Sequence, residues 1–180
     1  MSPIVRSVTG PPLSDGVVAL RRWAESDADE MASCLDGDEE IGRWLDQIPQ
    51  PYTREDALAF IRGIGEDSFA VTDAATGGVL GSIGVRWNEP RDVAEIGYWL
   101  RAGARGRGSM GRALALVIAF ALEQGAARVQ LRAAVGNDAS RRVAEKAGFT
   151  LEGILRSAHH NARLGRRVDW AMYSLLPGEL

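Results

Sequence analysis

The spacing of apolar residues divides the chain into alternating short strands and amphipathic helices. Val17–Trp23 alternates with period two and predicts a first strand. Ser26-Asp27-Ala28-Asp29 then opens a helix to about Leu35, with Ser26 as the expected N-cap and acids in the first turn. A short helical piece, Glu39–Leu45, stops before Pro49 and Pro51. Thr53-Arg54-Glu55-Asp56 repeats the start signal, and Ala57, Phe60, Ile61 and Ile64 recur at helical spacing.

After Gly65 the period shortens. Ser68–Thr72 and Val79–Trp87 read as strands joined by a hairpin loop over 74–78, and Val93–Arg101 follows the turn Asn88-Glu89-Pro90-Arg91. A glycine-rich stretch leads into a long helix to Gln124, then a turn at Gly125 and a strand over Arg128–Val135. Asn137 caps a further helix ending at Gly148. Phe149–Leu155 and Val168–Leu176 are the last strands, separated by a polar loop, Arg156–Arg167. Residues 1–16, with Gly10-Pro11-Pro12, read as an arm. The order predicts an α/β domain, a mixed sheet with helices on both faces, spanning 1–180 as one unit.

The stretch Arg105-Gly106-Arg107-Gly108-Ser109-Met110-Gly111 carries the clearest chemistry. Glycines let a ligand approach backbone N–H groups, and a helix starting there offers unpaired N–H groups and the positive end of its dipole. The combination is an anion cradle suited to phosphate, with Arg105 and Arg107 beside it. A Gly/Arg-rich turn before a core helix is the other reading. Gly111 is followed by Arg112, which excludes a Walker A loop. No acidic residue follows at the dinucleotide-binding spacing, which argues against NAD.

Charge sharpens this picture. Residues 1–100 carry 8 Arg against 18 Asp and Glu, a net of −10, whereas residues 101–180 carry 12 Arg and 1 Lys against 6 acids, a net of +7. A basic second half suits an anionic ligand and an acidic first half a cationic one. The arginines are spread over several elements without a basic run or interleaved aromatics, so nucleic acid is not the expected partner. The single cysteine, Cys34, excludes a disulfide framework, and no metal site is expected. The longest apolar run, Ala113–Leu122, is well short of the roughly 20 residues of a membrane span. With no secretory pattern at the N-terminus, a cytoplasmic location is expected by default.

Three segments, in order, resemble the GNAT superfamily of acyl-CoA-dependent N-acetyltransferases: Glu95-Ile96-Gly97-Tyr98-Trp99-Leu100-Arg101, the loop Arg105–Met110, and Asn137–Phe149 with its N-x-x-S and K-x-G-F pattern. With Glu152-Gly153 and Asp169…Tyr173-Ser174-Leu175, the chain resembles the bacterial ribosomal-protein N-terminal acetyltransferases (the RimJ/RimL type) over Val17–Leu176. Met110 departs from the superfamily's Gly/Ala and is expected to narrow the pyrophosphate pocket.

The resemblance implies a mostly antiparallel sheet of about seven strands, splayed between the fourth and fifth, with acetyl-CoA as cosubstrate. It implies backbone contacts from Leu100 and Arg101 to the pantetheine arm, and a pyrophosphate held by Gly106, Arg107, Gly108, Ser109, Met110 and Gly111 with Arg105. Arg141 or Arg142 would reach the 3′-phosphate. It further implies Glu95 as base, directly or through water, Ser140 as proton donor to the thiolate, and Asn137 as an orienting group besides its capping role. Many superfamily members use a tyrosine after the N-x-x-S segment; Phe149 and Thr150 stand there instead, leaving Tyr98 and Tyr173 as the phenols. Tyr98 reads as packed in the sheet, and His159 and His160 as loop residues without nearby acids.

The expected reaction is transfer of acetyl to a primary amine by direct attack in a ternary complex, at a protein N-terminus. The alternatives are a small-molecule or antibiotic amine as acceptor, or a CoA-binding module without turnover. A homodimer is in keeping with such enzymes.

Overall fold

The structure, a computed structural model, describes residues 13–63, 67–88 and 92–179. The expected turn at Gly10-Pro11-Pro12, the helix position Ile64, Gly65, and Glu89-Pro90-Arg91 lie outside the described residues. The strands are β1 (Leu13–Ser14), β2 (Val18–Arg22), β3 (Ser68–Asp73), β4 (Val79–Asn88), β5 (Val93–Leu100), β6 (Arg128–Ala134), β7 (Thr150–Asn161) and β8 (Arg166–Leu175). The helices are α1 (Ala28–Leu35), α2 (Glu39–Trp44), α3 (Arg54–Gly63), α4 (Ser109–Glu123) and α5 (Asp138–Lys146). The strands form one sheet in the order β1-β2-β3-β4-β5-β6-β8-β7, antiparallel except for the β5–β6 pair.

Among the described residues the sheet has eight strands, one more than the sequence predicts, because Leu13–Ser14 of the expected arm pairs with Leu20 and Ala19. Side chains alternate across each strand, so β3 feeds two cores. Phe69 and Val71 enter the larger one with Met110, Ala113, Leu114, Val117, Ile118 and Ala121 of α4. Ala70 enters the other, under α1, α3 and the connection holding Tyr52. Helices therefore cover both faces, as expected.

Two local expectations are corrected. Ser26 does not cap the first helix: a 3-10 turn, Glu25–Asp27, precedes α1. Asp27 does the anchoring, accepting from the Ala24 N–H at 2.9 Å and from the Arg21 guanidinium at 2.6 and 2.9 Å. The expected loop Arg156–Arg167 is mostly strand. β7 runs to Asn161 as the outermost strand of the sheet, and its stretch past Leu155 is mostly polar with only Asn161 buried, which in sequence is indistinguishable from a loop. An irregularity between Leu155 and His159, with Ser157 at φ +53°, breaks its alternation as well.

Candidate active site

The glycine-rich stretch turns through a short 3-10 segment, Ala102–Ala104, into α4. Gly106 and Gly108 have φ of +74° and +79°, a backbone region that disfavours any residue with a Cβ. Gly108 is the N-cap of α4 and no side chain caps that end; the first helical N–H bond runs from Arg112 to the Gly108 carbonyl at 3.2 Å. The N–H groups of Ser109, Met110 and Gly111 are thus the orphan donors of a helix start, with no acidic residue in the first turn. A Cβ at Gly106, Gly108 or Gly111 would have no neighbour within 4 Å, so the loop faces open space. Its residues fit a phosphate.

Met110 does not narrow this space. Its side chain is 4% exposed and packs into the α4 core, leaving only its backbone at the loop.

The arginines divide into two kinds. Arg105 turns away from the cradle: its guanidinium pairs with Asp38, the N-cap of α2, and its Nε donates to the Leu100 carbonyl at 3.1 Å. It braces the loop against α2. Arg141 likewise donates to the Tyr173 hydroxyl (3.1 Å) and the Val135 carbonyl (3.3 Å). Arg107 and Arg142 are exposed and carry no partner among the described residues.

Next to the loop the sheet opens. β5 and β6 pair in parallel only at Val93–Arg128, Ala94–Val129 and Glu95–Gln130, after which the two strands part. The β5 edge from Ile96 onward therefore faces a gap. Within it, the two expected backbone partners of a pantetheine arm are already engaged. Arg101 donates its N–H to the Leu80 carbonyl at 2.9 Å and accepts from Ala104 at 3.0 Å. The Leu100 carbonyl holds Arg105. Ile96–Tyr98 is the stretch of edge that remains clear of these contacts.

On the α1–α3 face, the same segment of β5 walls a cavity of about 1000 Å³. Its roof includes Leu35, Leu45, Ile48, Tyr52 and Phe60, and Glu95, Gly97 and Trp99 belong to its β5 wall. The floor is bare: the strand registers align Ser68, Gly84 and Gly97 in one row across β3, β4 and β5. Gap and cavity share one strand.

At the gap, α5 presents Asn137 and Ser140. Asn137 caps the helix by accepting from the Ser140 N–H at 3.1 Å. The Ser140 hydroxyl lies 2.9 Å from the hydroxyl of Tyr98, whose own proton is donated to the Ser140 carbonyl at 3.2 Å. Burial pushes the Tyr98 phenol up to about 12, so it stays protonated at neutral pH. Tyr98 is thus more than a packed sheet residue. Tyr173, fully buried, donates to Glu145 at 2.8 Å and accepts from Arg141, which makes it a structural phenol.

Glu95 lies at the last paired position before the strands part. Arg132 and Arg86 both donate to its carboxylate, and Gln130 donates at 3.1 Å. Burial raises its pKa, but the hydrogen bonds from Arg132 and Gln130 and the charges of both arginines outweigh this, and the net shift is downward. It is a firmly ionised carboxylate in the cavity wall.

His159 departs from its sequence reading. It lies on β7, stacks on Trp170 with centroids 5.3 Å apart, and meets Asp46 through Nε2 at 2.8 Å. Asp46, with its side chain 7% exposed, also accepts from the Ala162 N–H at 2.7 Å. Asn161 donates to the Arg43 carbonyl at 2.8 Å beside it. Together these contacts clasp the β7–β8 turn to the 43–48 segment. The partners lie 113 residues apart, so no local pattern announces them. Among the described residues, no cluster of His, Cys, Asp or Glu is arranged to hold a metal, and no helix is long and apolar enough to cross a membrane.

Comparison with known proteins gives the family and the fold. The sequence model of the family described as "Acetyltransferase (GNAT) domain" matches residues 18–150. A Bacillus subtilis (strain 168) protein carrying the name "Putative ribosomal N-acetyltransferase YdaF" is 29% identical over 171 residues, covering 90% of this chain and 92% of its own. A GNAT-family acetyltransferase from Bacillus anthracis superposes with a TM-score of 0.83 at 18% identity, over 92% of this chain and 98% of its own. RimL, described as a ribosomal L7/L12 alpha-N-protein acetyltransferase in complex with coenzyme A, superposes with a TM-score of 0.76 at 23% identity, over 92% and 96%.

Proposed function

Because the chain belongs to the GNAT acetyltransferase family and is therefore an N-acetyltransferase, we propose that it moves acetyl from acetyl-CoA to the α-amine of a protein N-terminus. The transfer is by direct attack within a ternary complex. The observation that carries this reading is the shared wall. β5 borders on one side the gap beside the glycine loop and on the other the large cavity, so donor and acceptor approach the same strand from different directions. The relatives named for ribosomal proteins support a protein acceptor.

In this reading the pyrophosphate lies on the N–H groups of Gly108, Ser109, Met110 and Gly111, with Arg107 at its side, while Arg142 serves the 3′-phosphate. The pantetheine arm runs along β5 at Ile96–Tyr98, the stretch of edge left clear. The thioester carbon then stands near Gly97, where an amine arriving through the cavity meets it.

The amine attacks only when neutral. Glu95, ionised and fixed by two arginines, draws the incoming ammonium by charge and receives its proton through water; its lowered pKa means that it passes the proton on rather than retaining it. As the C–N bond forms and the C–S bond breaks, the nitrogen releases its second proton through the same water toward Glu95, and the Ser140 hydroxyl protonates the leaving thiolate. Tyr98 then turns its proton from the Ser140 carbonyl to the serine oxygen and regains one from solvent. Asn137 holds Ser140 in place by capping α5.

Initial-rate kinetics test the scheme. With acetyl-CoA and N-terminal peptides, thiol release gives intersecting double-reciprocal lines for a ternary complex. Parallel lines would indicate an acetyl-enzyme and contradict direct attack. Release with small amines but with no peptide would overturn the protein acceptor, and binding of acetyl-CoA without any release would leave a CoA-binding module.

A further inference from the structure

We infer that the acceptor carries a bulky apolar side chain on the residue bearing the reactive amine, and that the row Ser68, Gly84 and Gly97 makes room for it. The inference rests on the protein-amine reading above and narrows its substrate class.

The cavity volume of about 1000 Å³ lies at the upper end for a small-ligand site. It exceeds what an alanine or serine side chain can fill. Leu35, Leu45, Ile48 and Phe60 contribute an apolar roof, and Trp99, stacked on Trp23 with centroids 6.4 Å apart, is held rigid at one end. Phe60 keeps 38% of its surface exposed although its helix packs on the core, so an apolar face is left for a ligand to cover. Glu95 stands at the other end, on the next row of the sheet, paired across to Arg86 and Gln130.

Between these two ends the floor carries almost no side-chain volume. On a strand face, any ordinary residue at Gly97 would project into this space, since a Cβ there meets nothing within 4 Å. Its φ is not in the left-handed region, so backbone geometry does not demand glycine. The absence of a side chain at Gly97 serves the cavity rather than the chain. Gly84 beside it is different, because a Cβ there would already lie 3.0 Å from the Ser68 hydroxyl.

The geometry also sets the depth. The bare floor abuts the segment of β5 at which the strands part, so a side chain lying on it belongs to the residue whose amine reaches the gap. Apolar walls reward each buried methylene, and discrimination of about 10- to 200-fold between acceptors differing by a few carbons is within reach of such a site.

The test is a matched peptide series differing only in the first residue, Ser, Ala, Leu or Phe, assayed with acetyl-CoA by thiol release. Leu and Phe peptides are expected to exceed Ser and Ala peptides in kcat/KM by about tenfold or more. In Gly97→Val, where the added carbons occupy the floor, that ratio is expected to fall about tenfold; the ratio is the readout because any effect of the substitution on the neighbouring pantetheine path is common to all four peptides. Acetylation of Ser or Ala peptides as well as or better than Leu and Phe peptides by the wild type would overturn the inference and leave the protein-amine reading standing. So would an unchanged ratio in Gly97→Val. Acetylation of free amines with no peptide accepted would instead overturn that reading, and this inference with it.

Discussion

The hydroxyl of Tyr98, on β5, and that of Ser140, in the first turn of α5, lie 2.9 Å apart across the gap where the sheet opens. One residue comes from the strand that meets the acceptor and the other from the helix on the far side of the gap. The pair thereby joins the two walls of the proposed site and, in the proposed scheme, gives Ser140 a source from which its proton is replaced.

Ser140→Ala is expected to lower kcat by about 10- to 100-fold, at the weaker end of general-acid effects because water can replace the hydroxyl. Tyr98→Phe is expected to cost less, about tenfold, since Ser140 retains its own hydroxyl. Because burial pushes the Tyr98 phenol up to about 12, the wild-type kcat profile should show no loss from its ionisation up to pH 10. Steady-state kinetics across pH checks all three; unchanged kcat in both variants would remove the pair from the proton path.

In the proposed scheme Glu95 ties activity to stability. Its pKa is lowered in the folded chain, so it favours folding above the ordinary carboxylate pKa, and this contribution disappears as pH falls through the folded value. Glu95→Gln is expected to lose about 1–3 kcal/mol at neutral pH, because Arg132 and Arg86 lose their charged acceptor. The difference from wild type should close below the usual carboxylate range. Urea denaturation at a series of pH values measures it. The same variant is expected to lower kcat/KM by about 100-fold or more by removing the proposed general base.

Arg105 and Arg107, two residues apart in the glycine loop, should respond differently. Arg105→Ala strands Asp38, whose side chain is 8% exposed, and is expected to lower Tm. Arg107→Ala should leave Tm unchanged and raise the acetyl-CoA Kd several-fold, an effect that shrinks as salt rises. Thermal melts and calorimetry at two ionic strengths separate the two.

The clasp at the β7–β8 turn is a further test. Burial raises the Asp46 pKa, but hydrogen bonds from Ala162 and His159 and the His159 charge lower it overall, so its support of the fold is present above the unfolded pKa and lost as pH falls through the folded one. Asp46→Asn is expected to cost about 1–3 kcal/mol at neutral pH and to quicken amide exchange at Ala162. Exchange identical to wild type would show that the clasp does not hold the turn.

How much of this was legible in sequence follows from the range of each signal. The glycine loop, the start of α4 and the Asn137 cap were readable because a positive φ and an uncapped helix end leave local marks on residues 106–111 and 137–140. The course of β7 past Leu155 was not, because an edge strand alternates polar residues much as a loop does. Long-range pairings were silent. Nothing near Arg105 points to Asp38, nothing near His159 points to Asp46, and the row Ser68–Gly84–Gly97 exists only once three strands are in register. Met110 looked like an obstacle in one dimension and is a core residue in three.

In the proposed function the glycine loop and the gap beside β5 hold acetyl-CoA. Calorimetric titration of the purified protein with acetyl-CoA, with ATP and NAD as controls, tests it most directly. Saturable micromolar binding of acetyl-CoA, weakened in Arg107→Ala, is expected, with neither control nucleotide competing. Failure of acetyl-CoA to bind, or binding of ATP and NAD with equal strength, would contradict it.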